Sequence, residues 1–362
     1  MKRLLSLWCA AGLLLVGGTV RAAEAGPPID VVIALDVSGS MERLIDSAKI
    51  KLWDIVNDLA KVKPAPSLRV GLYSYGHSTY DPKAGWVRKE IDLTNDLDAV
   101  YQKLFALTIN GGEEYVARVC RDAVRDQKWS EDPKALKVIF VCGNEPASQD
   151  PTLKIKDVAE MALGKGIIIN PIFCGPLTDP DHRDWKELAG YAKGQFASID
   201  PDKGTVVIST PVDKELDALN RRLNGTYVVY GGKKGDELLK NQQAQDGNAL
   251  NLGYAVNASR VLCKSGCLYR NDSWDLVDRC KNDPKFELKL VPVEELSEEM
   301  KKMTPEQRTA HVKDMSAQRD ALQCQIANVG AIRQLYVQEE LKRNPSASDK
   351  AFDEAIKRAL RR

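Results

Sequence analysis

"IDVVIALDVSGSMERLIDSAK", residues 29–49, changes character at its centre. Ile29 to Leu35 is a short run of strand length, rich in β-branched residues. From Glu42 onward Leu44, Ile45, Leu52, Ile55, Val56 and Leu59 recur at the spacing of one helix face. Between the two, Asp36, Ser38 and Ser40 alternate around Gly39. The stretch predicts a buried strand, a turn carrying three small oxygen donors, and an amphipathic helix. Such oxygens suit a hard cation, and the same hydroxyls suit the start of a helix.

Working outward, the alternation continues to about residue 224. "LRVGLYSYG" (68–76), "ALKVIFVCG" (135–143) and "GIIINPIFCG" (166–175) read as strands, with "GWVRKEIDL" (85–93) returning beside the first and "GQFASI" (194–199) as a short last one. Helical patterns fall between them at 97–107, 115–126, 152–163, 184–192 and 213–223. Strands separated by helices predict an α/β fold, a doubly wound, mostly parallel sheet with helices on both faces. The near-continuous apolar strands agree with burial on both sides.

After Gly225 the texture becomes polar and helical, opening on the Gly-rich connection "TYVVYGGKKGDE" (226–237). Trp274 to Asp278 reads as a helix with a buried Trp. Thr304 to Gln307 is a capping box, and Val312, Met315, Leu322, Ile326 and Val329 follow at helical spacing. Ser348 caps a last helix with Phe352, Ala355, Ile356, Ala359 and Leu360 on one face. The charge runs read as solvated helix faces. The expected organisation is a leader over 1–25, an α/β domain over 27–224 and a helical C-terminal domain over 225–362.

The leader follows from Lys2 and Arg3 before the apolar stretch Leu4 to Val20, then Ala22, Ala23 and Ala25, the pattern of a secretory signal. Export to a periplasm or outside the cell is the expectation, with a membrane involved only through an uncleaved signal. Cleavage after Ala25 removes Lys2, Arg3, Arg21 and Glu24 and turns the formal charge from +1 to one net negative charge. A near-neutral chain lacks the basic footprint of a nucleic-acid binder.

Asp36-x-Ser38-x-Ser40-Met41, with the strand and helix order around it, resembles the von Willebrand factor type A (VWA) domain family. The resemblance covers residues 27–224 and implies a site for Mg²⁺, or Mn²⁺ or Ca²⁺, at the strand end, and a protein or cell-envelope partner. Two positions depart from the family pattern. Glu113 and Glu114 follow Gly111-Gly112 where a threonine is expected, and Cys142-Gly143-Asn144-Glu145 stands where an aspartate is expected. Either the site has lost its metal, or carboxylates have moved into it. The second reading assigns Asp36, Ser38, Ser40, Glu113 and Glu145 to the metal, with Glu114 and Asn144 near the ligand. Three carboxylates around a divalent ion neutralise it, so the ion is structural or takes neutral ligands.

Cys142 and Cys174 end two strands separated by one helix, and their apparent equal height predicts a disulfide. Cys263, Cys267, Cys280 and Cys324 form a second group with three possible pairings, leaving Cys120 unpaired. No G-x-S-x-G or H-E-x-x-H occurs, and the three histidines, among them His77, form no nucleophile–base set. A binding protein is the expected class. The alternatives are a metal-free scaffold, an enzyme centred in the acidic cluster or the helical domain, and a partner of an AAA machine.

Overall fold

A computed structural model describes residues 26–61, 64–198 and 207–343; the leader and the helix expected after Ser348 lie outside these. Six strands form one sheet: β1 (Pro28–Asp36), β2 (Ser67–Tyr75), β3 (Val87–Thr94), β4 (Leu136–Gly143), β5 (Ile167–Phe173) and β6 (Ala197–Ser198). Their order is β3-β2-β1-β4-β5-β6, all parallel except β3, which runs back along β2. The doubly wound sheet expected from the sequence is present.

Helices α1 (Glu42–Leu59) and α2 (Leu97–Phe105) cover one face. Helices α3 (Val116–Asp126), α4 (Ile155–Gly164) and α5 (His182–Tyr191) cover the other. Both faces are dry, which explains runs such as Val138 to Val141, buried throughout. A paired charge stands inside the sheet: Asp30 is fully buried and receives Arg69 Nε and Nη2 at 2.8 and 2.7 Å and the Ser130 N–H at 2.7 Å. Pairing of this kind offsets the cost of burying a carboxylate in its charged form.

Successive strands step outward from β1 to β2 and β3 on one side, and from β4 to β5 and β6 on the other. The crevice where the order reverses lies between the carboxyl ends of β1 and β4, the place where open α/β sheets bind ligands. Asp36 ends β1 and Gly143 ends β4.

The chain continues through α6 (Asp213–Asn224), α7 (Gly232–Asn251), α8 (Tyr254–Lys264), α9 (Leu276–Asn282), α10 (Glu298–Lys301) and α11 (Pro305–Arg343). The Gly-rich connection is shorter than its sequence suggests: Gly231, at φ 89°, turns the chain, and α7 begins at the next residue. Trp274 is buried but precedes the helix, which Asp275 caps by accepting the Asp278 N–H. The capping box at α11 forms as expected, with the Thr304 N–H donating to Gln307 Oε1 at 2.8 Å.

These helices pack directly on the α/β layer. Ala249, Val256, Cys263, Leu268 and Tyr269 join the core under α1 and α2, and Asn57 of α1 donates to Ser259 O of α8 at 2.8 Å. Nor are all the charges there solvated. Arg260 of α8 is fully buried, donates to Asp98 Oδ1 at 2.7 Å and Asp246 Oδ1 at 2.6 Å, and stacks 4.8 Å over Trp53.

Candidate functional site

The β1 end is built around Asp36, which is buried. Its Oδ1 accepts the Ser38 N–H at 2.8 Å, the tight Asx turn that Asp-x-Ser favours. Its Oδ2 is buried with no hydrogen-bond partner among the described residues. Ser38 Oγ and Ser40 Oγ stand 3.4 Å apart, and Ser40 Oγ donates to Asn144 Oδ1 at 3.2 Å. The turn after β1 is thereby tied to the loop after β4.

Gly76, just past β2 at φ 83°, makes room for a second carboxylate. A Cβ on it would lie 2.9 Å from both Asp36 Oδ1 and Glu114 Cγ, so Asp36 and Glu114 close over this glycine from two sides. Gly112 packs as tightly on the backbone of Gly76 to Ser78. The two contacts seat the 107–115 loop against the loop after β2. Gln149 Nε2 holds Glu114 O at 2.8 Å, and Trp185 Nε1 holds Glu145 O at 2.8 Å, so both acidic loops are pinned through their backbones.

The charges respond to this crowding. Burial is the main cause that lifts the Asp36 carboxyl from 3.8 to about 7. Hydrogen bonds from Ser38 oppose the rise, and the charges of Glu114 and Glu145 add to it. Glu114 is raised as well, by burial first and then by Glu145, while hydrogen bonds to Gln149 and Ser38 pull it back. Asp36, Ser38, Ser40, Glu114, Asn144 and Glu145 therefore face one crevice. Glu113 is exposed at the edge of this group, its charge acting on Tyr115 and, last among the causes, on Glu114. Nothing in the sequence separates the two glutamates, because the choice is made by the backbone of their loop. Gln149 and Gly76, which hold and admit Glu114, carry no sequence signal of their own.

His77 lies in the same rim but is turned inward, its ring stacked on Tyr80 at 4.8 Å and Nδ1 bonded to Thr79. Burial lowers its pKa, with help from Arg88.

Among the described residues no three His, Cys, Asp or Glu side chains converge to hold a metal by themselves. A cation here needs the serine hydroxyls. The donor set fits one: the buried Asp36 carboxylate with one partnerless oxygen, the neighbouring hydroxyls of Ser38 and Ser40 in the same turn, and Glu114 beside Gly76, all hard oxygens.

The expected Cys142–Cys174 disulfide is not formed; both thiols are free and buried. The register is the reason. Cys142 lies opposite Ile172 and Gly143 opposite Phe173, so Cys174 sits two positions further along. Its N–H bonds Gly143 O at 2.8 Å and its Sγ turns back to Ile172 O. Burial pushes the Cys142 thiol up to about 12. Cys120, Cys263, Cys267, Cys280 and Cys324 are free as well. No helix among the described residues is long and apolar enough to cross a membrane.

Residues 30–207, just under half the chain, match the sequence model of the von Willebrand factor type A domain. Among curated proteins no sequence match reaches significance. Similar solved structures include proximal thread matrix protein 1 from the mussel byssus with a zinc-occupied MIDAS motif, 14% identical over 50% of this chain and 44% of that one, TM-score 0.39. A von Willebrand factor type A protein from Catenulispora acidiphila is 17% identical over 49% and 40%, TM-score 0.38. The SpRpn10 VWA domain is 16% identical over 48% and 89%, TM-score 0.37. The chain spans less than half the length of the first two. At these identities the likeness concerns the fold alone.

Proposed function

We propose that this chain is an exported, non-catalytic binding protein whose von Willebrand factor type A domain, over residues 30–207, serves as a protein-interaction module and holds a divalent cation at its strand-end site. The observation that carries the reading is the buried Asp36 carboxylate with its partnerless Oδ2, facing Glu114 across Gly76. Mg²⁺, Mn²⁺ or Ca²⁺ would supply the missing positive charge. Asp36, Ser38, Ser40 and Glu114 would hold it, with Glu145 and Asn144 at the open side.

The acidic side chains decide what such a site accepts. Asp36 and Glu114 already balance a divalent ion, and Glu145 adds a further negative charge nearby. A partner's carboxylate would be repelled, so the partner offers a neutral oxygen ligand or binds the rim while the ion fixes the loops. Glu114 takes the role that the sequence alone gave to Glu113, and the helices from 225 onward form the second proposed unit. A protein or cell-envelope component is the proposed partner.

Calorimetric titration of each cation into the wild-type chain, Asp36→Ala and Glu114→Gln tests the site. Saturable heat is expected for wild type, lost in Asp36→Ala and weakened roughly tenfold in Glu114→Gln, the loss of about 1.4 kcal/mol. Equal traces for wild type and Asp36→Ala would leave a metal-free scaffold instead.

A further inference from the structure

A second polar cluster lies away from the strand-end site, where the ends of α6 and α8 meet α7. Lys264, the last residue of α8, has a fully buried side chain. Its Nζ donates to Asn224 Oδ1 at 2.6 Å, to Asn220 Oδ1 at 2.9 Å, and to Asp246 Oδ2 and Oδ1 at 2.8 and 3.1 Å. Asp246 Oδ2 in turn accepts Asn224 Nδ2 at 2.8 Å and Asn220 Nδ2 at 3.1 Å. Gln242 Nε2 donates to Asn224 Oδ1 at 3.2 Å. The Tyr227 ring walls the site, 5.9 Å from the amine.

An amine, a carboxamide and a carboxylate touching both are more than an ion pair needs. We propose that Lys264 and Asn224 join spontaneously in an intramolecular isopeptide bond, with Asp246 moving the proton and Gln242 stabilising the carbonyl oxygen. The neutral Nζ adds to Asn224 Cγ, and the C=O electron pair moves onto Oδ1, where the Gln242 N–H receives the developing charge. Asp246 takes a proton from the new ammonium and delivers it to Nδ2. The Cγ–Nδ2 bond breaks, the carbonyl reforms and ammonia leaves. One amide replaces another and nothing is oxidised or reduced. Holding the groups together supplies what makes amide exchange rapid enough to observe.

Asn224 is the electrophile rather than Asn220 because its contacts to Lys264 and Asp246 are both shorter and because Gln242 polarises it. The amine must be unprotonated to attack. Burial holds its pKa down at about 8, against the pull of Asp246 and with the help of Arg260. Asp246 from α7, Arg260 from α8 and Asp98 from α2 are the charges that act on it, and Tyr227 is the titratable ring beside it. The rate therefore rises through pH 8 and then levels, roughly a hundredfold slower two pH units below that value. The bond would close a loop of about forty residues and tie α6 to α8, limiting the unfolded chain.

The test is the intact mass of the full chain, measured after reduction, during incubation in mildly alkaline buffer, followed by peptide mapping. The expected result is the loss of one ammonia and a branched peptide joining Lys264 to Asn224. Asn224→Ala and Lys264→Met abolish it, Asn220→Ala keeps it, and Gln242→Leu slows it. Replacing Asp246 strips Arg260 of a partner and tests folding instead, so the wild-type mass decides. An unchanged mass with both residues in linear peptides overturns the proposal, as does a branch at Asn220.

Discussion

Replacing Asp36 by asparagine separates the cost of this carboxylate from its use. In the metal-free protein the carboxyl titrates near 7 instead of 3.8, because burial and the neighbouring Glu114 and Glu145 disfavour its charge. At about 1.4 kcal/mol per decade, ionised Asp36 costs the folded state on the order of 4 kcal/mol above pH 7. The folded state binds the proton more tightly than the unfolded one, so stability falls as pH rises from about 4 to 7 and is level above. The substituted asparagine can keep the acceptor for the Ser38 N–H and carries no charge. In chelator, urea unfolding at pH 5 and pH 8 is expected to show a wild-type loss of roughly 2–3 kcal/mol between the two, absent from Asp36→Asn. Saturating Mg²⁺ should close more than half of that gap at pH 8, since an ion bound only to the folded wild type adds about 2.7 kcal/mol at a hundred times its dissociation constant. The same pH slope in both proteins would refute the assignment of the cost to Asp36.

Gly76→Ala forces a Cβ into Asp36 and Glu114 at a positive φ, and should cost about 1–3 kcal/mol by melting and weaken cation binding. Arg260→Met leaves Asp98 and Asp246 each short of a buried cation, and should destabilise by about 3–5 kcal/mol in urea. A thiol reagent on the native chain should label Cys267 and Cys324 rapidly, and Cys120, Cys142, Cys174 and Cys263 only on unfolding. Native labelling of Cys142 would show that the β4 end is open.

The sheet was legible because its strands are buried on both faces and therefore read as unbroken apolar runs, and because the α1 stripe repeats cleanly from Ile45 to Leu59. The Asp-x-Ser-x-Ser turn was legible as a local feature, since its hydrogen bond spans two residues. Its surroundings were not. Whether Glu113 or Glu114 faces Asp36 depends on how Gly112 seats against Gly76, a contact between loops far apart in sequence. The Cys142–Cys174 pairing failed for the same kind of reason. Strand ends are visible in sequence, but a two-residue offset between them is set by the ladder.

The helical region posed the harder problem, because buried and solvated charges look alike in a sequence. Asp98, Asp246, Arg260 and Lys264 each sit in an ordinary polar helix pattern, yet together they form the seam between α2, α7 and α8. A free-standing α/β domain would show the outer faces of α1 and α2 to water. Here Trp53 lies beneath Arg260 and Asp98 is buried against it, with Tyr269 donating to the second oxygen. Breaking the chain after residue 224 would strip that cover and leave Asp98 without its cation. The proposed boundary there marks a change in topology, from strands and helices to helices alone, while the packing runs on across it. The helix that leaves the Asp36 turn is thus packed from behind by α8, so residues far beyond the type A match cover it.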